Sequence, residues 1–495
     1  MMAFSGPLVA GVPVEFVLFG ALLLAIAFIH VNTMLLALGG ALVLTAYKLA
    51  ASPFAEGPGL TGLLGHAGHE WVLLANLLGL LLGFALLARH IEQSSLPLLL
   101  PKYLPDNASG AFLLLVAVFV LSSVLDNIAA AIIGAAIAQS VFRGRIHVGF
   151  LASLVACANA GGVGSVLGDT TTTMMWIAGV APMQVFPGYV AAVVALLITA
   201  IPASLQQQRF SPMVADAPPG IRLDWPRLAI VVAILVVAVL TNLVLNLHFK
   251  DIVDSLPFLA LAVWAAILVT AAWRRPDWAE LPNALQGAIF LVALVWCASM
   301  MPVDRLPTAS WHSTFSIGFL SAVLDNIPLT ALALKQGGYD WGMLAYAVGF
   351  GGSMLWFGSS AGVAVSNRYP QAKSVTAWLR HGWHVALAYV VGFFVMLALL
   401  GWQPGAPLRS APANAAPASA APAGAGPASS ITAAAAALPT ALPTALPTPP
   451  IAPAGPDAGS GFTIHGGLGL KSPNASAGGA APTTGASASP SSTDK

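Results

Sequence analysis

Apolar residues along this chain come in blocks rather than alternating with polar ones. Uninterrupted stretches fall near 13–30, 32–50, 70–88, 184–203, 227–247, 256–273, 283–301 and 376–400. Each is close to the ~20 residues that an α-helix needs to cross a bilayer. Two further regions, 110–181 and 311–366, are equally apolar but broken by polar and glycine-rich inserts. Near Pro404 the pattern stops, and an Ala/Pro/Ser/Thr/Gly-rich tail (404–495) follows with almost no charge or aromatic side chain. Such a composition cannot bury a core, so a disordered or polyproline-like tail is predicted.

The two broken regions repeat each other. SSVLDNIAAAIIG (122–134) parallels SAVLDNIPLTALA (321–333), with Asp126 and Asp325 offset by 199 residues. GGVGSVLGDTT (161–171) parallels GGSMLWFGSSA (351–361) at an offset of 190, aligning Gly161, Gly162 and Gly168 with Gly351, Gly352 and Gly358. Three plain spans precede each copy and one follows it. Each Leu-Asp-Asn segment therefore reads as the tip of a re-entrant hairpin, and each glycine-rich segment as the break in a discontinuous spanning helix. A half built this way crosses an odd number of times, which inverts the second half relative to the first. The expected architecture is an all-α polytopic membrane protein with a first repeat at 10–205, a cytoplasmic linker at 206–226 and a second repeat at 227–403.

Charge placement tests this arrangement. If the first hairpin opens to the cytoplasm, twelve Lys and Arg side chains fall inside and seven outside, with the tightest clusters inside. That bias fits a bacterial inner membrane with both termini outward. The start of the chain lacks a positive region before its first apolar run, so no cleaved signal peptide is expected. Of all residues 58% are hydrophobic and 7% charged, against about 25% charged in soluble domains. A net charge of +1 excludes the basic excess that grips nucleic acid. Cys157 and Cys297 both lie in apolar segments and read as small buried side chains.

Irregular backbone at membrane depth survives only where protein or a water-filled cavity solvates it. Two tips and two helix breaks thus point to one central site. Asp126 and Asp325 occupy the tips, each followed by an asparagine (Asn127, Asn326); Asp169 sits in the first break, followed by Thr170. Aspartate near the bilayer centre is costly and marks function. Helix capping explains the same residues, because Asp, Asn and Thr all cap well. The second break carries Ser359 and Ser360 in place of aspartate, as sodium ligands or as hydroxyls bonded back to the helix. Gly161, Gly162, Gly351 and Gly352 permit the unwound backbone, with their carbonyls as further ligands, and Asn159 supplies an amide. His381 and His384 read as interfacial residues at the start of the last span. No Walker A sequence, metal-ligand cluster or nucleophile motif is present, so neither an enzyme nor a resident cofactor is expected.

At these residues the chain resembles the ion transporter superfamily, and most closely its NhaD-type sodium/proton antiporters. VLDNIAAAIIG, ANAGGVGSVLGDTTTTMMWIAG, AVLDNIPLTA and GFGGSMLWFGSSAGVAVSN carry the resemblance, which covers roughly 10–400 and excludes the tail. It implies a homodimer whose protomers each have a scaffold part and a mobile part bearing both hairpins and both broken helices. Related branches move dicarboxylates with sodium, or arsenite; where the dicarboxylate branch reads Ser-Asn-Thr, this chain reads Leu-Asp-Asn. The long tail and the apolar run Ala129–Ala131 depart from the antiporter pattern. The expected activity is alternating-access exchange of sodium or lithium for protons, with Asp126, Asp169 and Asp325 as sodium ligands. The alternatives are sodium-coupled transport of citrate-like anions, for which no central Arg or Lys is available, and a membrane receptor or scaffold acting through the tail.

Overall fold

The computed structural model describes residues 7–9, 11–28, 32–214, 222–249, 252 and 255–405. The predicted tail, from residue 406, and the middle of the predicted linker, 215–221, lie outside the described residues. The described chain is helical apart from a two-stranded antiparallel hairpin, Leu8–Val9 with Val12–Pro13.

Helices α1 (Val14–Phe28), α2 (Thr33–Ala51) and α3 (Gly59–Gln93) come first, followed by a short turn, α4 (Leu96–Leu99). The first broken region then folds as α5 (Ala108–Ser122), α6 (Asn127–Val141), α7 (Val148–Gly162) and α8 (Thr170–Ile177). A short α9 (Pro182–Val185) leads into the long α10 (Gly188–Phe210). The second series comprises α11 (Trp225–His248), α12 (Phe258–Thr270) and α13 (Leu281–Ser299), then α14 (Trp311–Val323), α15 (Asn326–Gln336), α16 (Trp341–Gly351) and α17 (Ser360–Arg368). It ends with α18 (Val375–His381) and α19 (Trp383–Leu400). Among the described residues six helical segments are long and apolar enough to cross a membrane, and the protein is an all-α polytopic membrane protein.

Helix limits differ from the sequence expectation in several places, among them α10, which runs to Phe210, seven residues past the predicted 184–203. α3 begins at Gly59, eleven residues before the predicted span. No proline interrupts Gly59–Glu70, so the helix extends ahead of the apolar block. α12 is 13 residues long, shorter than the predicted 256–273. The last span is two helices, because Gly382 packs so closely on α7 that a Cβ there would lie 2.8 Å from that of Ala152.

Packing sorts the helices into two bundles. α1, α2, α3, α11, α12 and α13 pack among themselves. α5, α6, α7, α10, α14, α16, α17 and α19 form the other, with α7 wholly buried along its length. α15 joins the two, touching α8, α14 and α16 on one side and α13 on the other. Corresponding elements of the two halves are held alike. Ser122 Oγ donates to Ala158 O at 2.5 Å, and Ser321 Oγ donates to Val348 O at 2.6 Å. These donors are 199 residues apart and the acceptors 190, as in the sequence repeat.

Candidate ion site

Both breaks end where the chain turns back into a helix at the centre of the second bundle. Gly161 and Gly351 are required there for close approach: a Cβ would lie 2.0 Å from Phe119 O at the first and 2.5 Å from Gly318 O at the second. Gly162 and Gly352 press in the same way against the backbone of Gly168 and Gly358. The carbonyl of Gly161 already accepts from Ser123 Oγ (3.0 Å) and Tyr189 Oη (3.2 Å). The glycines are thus placed as packing surfaces, and the Gly161 carbonyl is engaged by protein donors.

Four helices start at this point. Asn127, Thr170, Asn326 and Ser360 are the first residues of α6, α8, α15 and α17, and all four line one cavity of about 20 Å³. Ile128, Ile327, Asp169 and Leu291 complete its wall. Asp126 and Asp325 cap rather than line. Asp126 Oδ2 accepts from Ile128 N at 3.2 Å, and Asp325 Oδ1 accepts from Ile327 N at 3.4 Å. Their remaining oxygens accept from the facing hydroxyls, Thr170 Oγ1 at 3.5 Å and Ser360 Oγ at 3.4 Å.

Asp169 is the one carboxylate in the cavity wall. It occupies the N-cap position of α8, is 2% exposed, and bonds sideways to Asn127 Nδ2 (3.0 Å) and to the Thr171 hydroxyl. Asn127 Nδ2 also donates to Asn159 Oδ1 at 3.0 Å. Asn159 in turn donates through Nδ2 to Ser353 Oγ (2.9 Å) and Ser359 Oγ (3.0 Å). A continuous chain of side-chain amides and hydroxyls therefore runs from Asp169 in the first half to Ser359 in the second. Ser359 caps α17 through Gly362 N and stays out of the cavity wall.

The structure brings the named tip and break residues together and divides their work differently from the sequence reading. Among the described residues no three His, Cys, Asp or Glu side chains gather closely enough to hold a metal ion jointly, so the three aspartates do not form one cage. Each tip aspartate is held by its own helix start. Among the residues that escaped the sequence reading are Ser353, because serine in a glycine-rich run carries no signal, and Leu291, because it comes from a plain span. His384 is also corrected. It is fully buried, with Nδ1 3.1 Å from Thr199 Oγ1 and 3.3 Å from Ser153 Oγ, because the Gly382 break tucks the start of α19 between α7 and α10.

The helices define a multi-pass membrane protein, with a small polar cavity among them. No family model matches the chain. Among curated proteins, sodium/proton antiporters 1 and 2 of Arabidopsis thaliana each share 27% identity over 50% of this chain, covering 48% and 66% of their own lengths. The Na(+)/H(+) antiporter NhaD of Vibrio parahaemolyticus shares 25% over 50% of this chain and 70% of its own. The chain thus spans between about half and two thirds of the first two relatives. It is a distant homologue of NhaD-type sodium/proton antiporters, in agreement with the motif resemblance.

Proposed function

We propose that this protein exchanges sodium, or lithium, for protons across a bacterial inner membrane by alternating exposure of the cavity. One observation carries the reading: four helix N-termini meet at a cavity whose wall contains the buried Asp169 and no Lys, Arg or His, with the capping carboxylates of Asp126 and Asp325 bonded to two of its wall residues. Each helix start contributes about half a positive charge. Four of them against three carboxylates leave roughly one net negative charge, which suits one monovalent cation or one proton. A water molecule needs roughly 10–15 Å³ of such space, so about 20 Å³ suits one small dehydrated particle better than a dicarboxylate. Asn127, Thr170, Asn326 and Ser360 supply oxygen ligands, and Asp169 supplies the charge for which cation and proton compete.

The reading extends to an inverted pair of repeats (10–205 and 227–403), both termini outward, and a homodimeric assembly, as the sequence repeat and the resemblance imply. Everted membrane vesicles carrying the protein are expected to release protons on sodium addition. Asp169→Asn should lower that exchange on the order of a hundredfold, the scale of removing one buried charge from a polar contact. The apparent KM for sodium should rise as pH falls, because the protonated carboxyl no longer attracts the cation. Wild-type exchange by Asp169→Asn, or its absence from the unmodified protein, overturns the reading.

A further inference from the structure

The second hairpin arm is fastened to the first bundle at the end farthest from the cavity. Lys335, in the last turn of α15, donates from Nζ to Met301 O at 2.8 Å and to Ser299 O. These carbonyls terminate α13, where an ammonium also meets the negative end of the helix dipole. The acceptor side is itself pinned to α3. His66 Nε2 lies 2.9 Å from Ser299 Oγ, and His66 Nδ1 lies 3.2 Å from a Glu56 carboxylate oxygen.

The cavity lies at the other end of the same seam. Asn326 and Ile327 begin α15, and Leu291 of α13 faces them across the cavity. From Asn326 to Lys335 is nine residues, and from Leu291 to Ser299 eight, about 13 and 12 Å of helix. The two helices therefore run side by side from cavity to latch, in the same direction. Leu291 is the single wall residue drawn from the first bundle. The first hairpin has no counterpart: at the repeat offset of 199 from Lys335 stands Ala136, which is exposed.

We propose that Lys335 is a positioning residue that latches α15 to the end of α13, so that the Leu291 seal over the cavity and the Lys335 contact open together. The proposal rests on the transport reading, since ion release requires the wall to part. It follows that one exposure of the cavity is favoured by a contact that the opposite exposure lacks.

The test compares Lys335→Met and Lys335→Arg in the full chain, in proteoliposomes. Weakening a contact made in only one of two states shifts their balance. The apparent KM for sodium in K335M should therefore move in opposite senses on the two membrane faces, by roughly three- to tenfold, the scale of a charged hydrogen bond. K335R should stay near wild type. Movement in the same sense on both faces marks general damage and overturns the latch, as does no movement. K335Q, which loses the charge and keeps a donor, carries the test if K335M does not fold.

A second arm is independent of the ion. Ala298 is fully buried and seven residues from Leu291, on the same face of α13. A cysteine there (Ala298→Cys, with Cys157→Ala and Cys297→Ala) should react with a permeant maleimide several-fold faster in K335M than with Lys335 intact. Equal rates overturn the latch. Should the unmodified protein fail to exchange sodium, the functional reading falls and the labelling rates alone decide the latch.

Discussion

The two halves of the candidate site share a frame and differ in charge. Asp126 with Thr170 matches Asp325 with Ser360 in position, partner and distance, 3.5 and 3.4 Å. Where the first half has Asp169, the second has Ser359, which spends its hydroxyl on Gly362 N and on Asn159. A repeat of this kind can keep every structural contact while one of two equivalent positions takes on charge. Without any aspartate, four helix N-termini would make a site for anions. With three, the balance turns negative, and a fourth would overshoot for a monovalent ion.

The sharpest way to break this comparison is to exchange the unequal pair. Asp169→Ser should cost exchange on the order of a hundredfold, and the double variant Asp169→Ser/Ser359→Asp should not restore it, because position 359 lies outside the cavity wall. Recovery measured by sodium-induced proton release would show that charge anywhere in the pocket suffices. Next in size is the glycine pair. Gly161→Ala should destabilise the folded protein by about 1–3 kcal/mol, and Gly351→Ala by less, since the clashes with backbone oxygen are at 2.0 and 2.5 Å. Thermal unfolding in detergent ranks them, and the reverse order would contradict the packing described. The smallest effect belongs to the matched serines. Ser122→Ala and Ser321→Ala should each cost about 1 kcal/mol and agree closely, as both lose one hydrogen bond to a buried carbonyl.

Much of the frame was legible in the sequence, and for a physical reason. Helix breaks at membrane depth need glycine for close approach and polar groups for capping, and both stand out against apolar surroundings, as at Gly161 and Asp169. The roles of the tip aspartates were harder to read. Capping and ion binding ask for the same residue at the same position, and the bonds from Ile128 N and Ile327 N show the capping role. Leu291, Ser353 and Lys335 were hidden because each acts across a contact between distant segments. A leucine or serine in an apolar run carries no mark of what will face it, and neither does a single lysine at the end of a helix. His384 looked interfacial for a similar reason: its depth is set by the turn at Gly382, which hydropathy does not register.

The amide chain from Asp169 to Ser359 also bears on how the protein is made. Asn159 finds its two serine partners 194 and 200 residues later in the chain. While the ribosome still works on the second half, Asn159 sits in a finished hydrophobic segment with donors that nothing yet accepts. A polar group stranded in hydrocarbon is costly, so the nascent first half must be shielded by water, by the insertion machinery or by another membrane chaperone until its complement arrives.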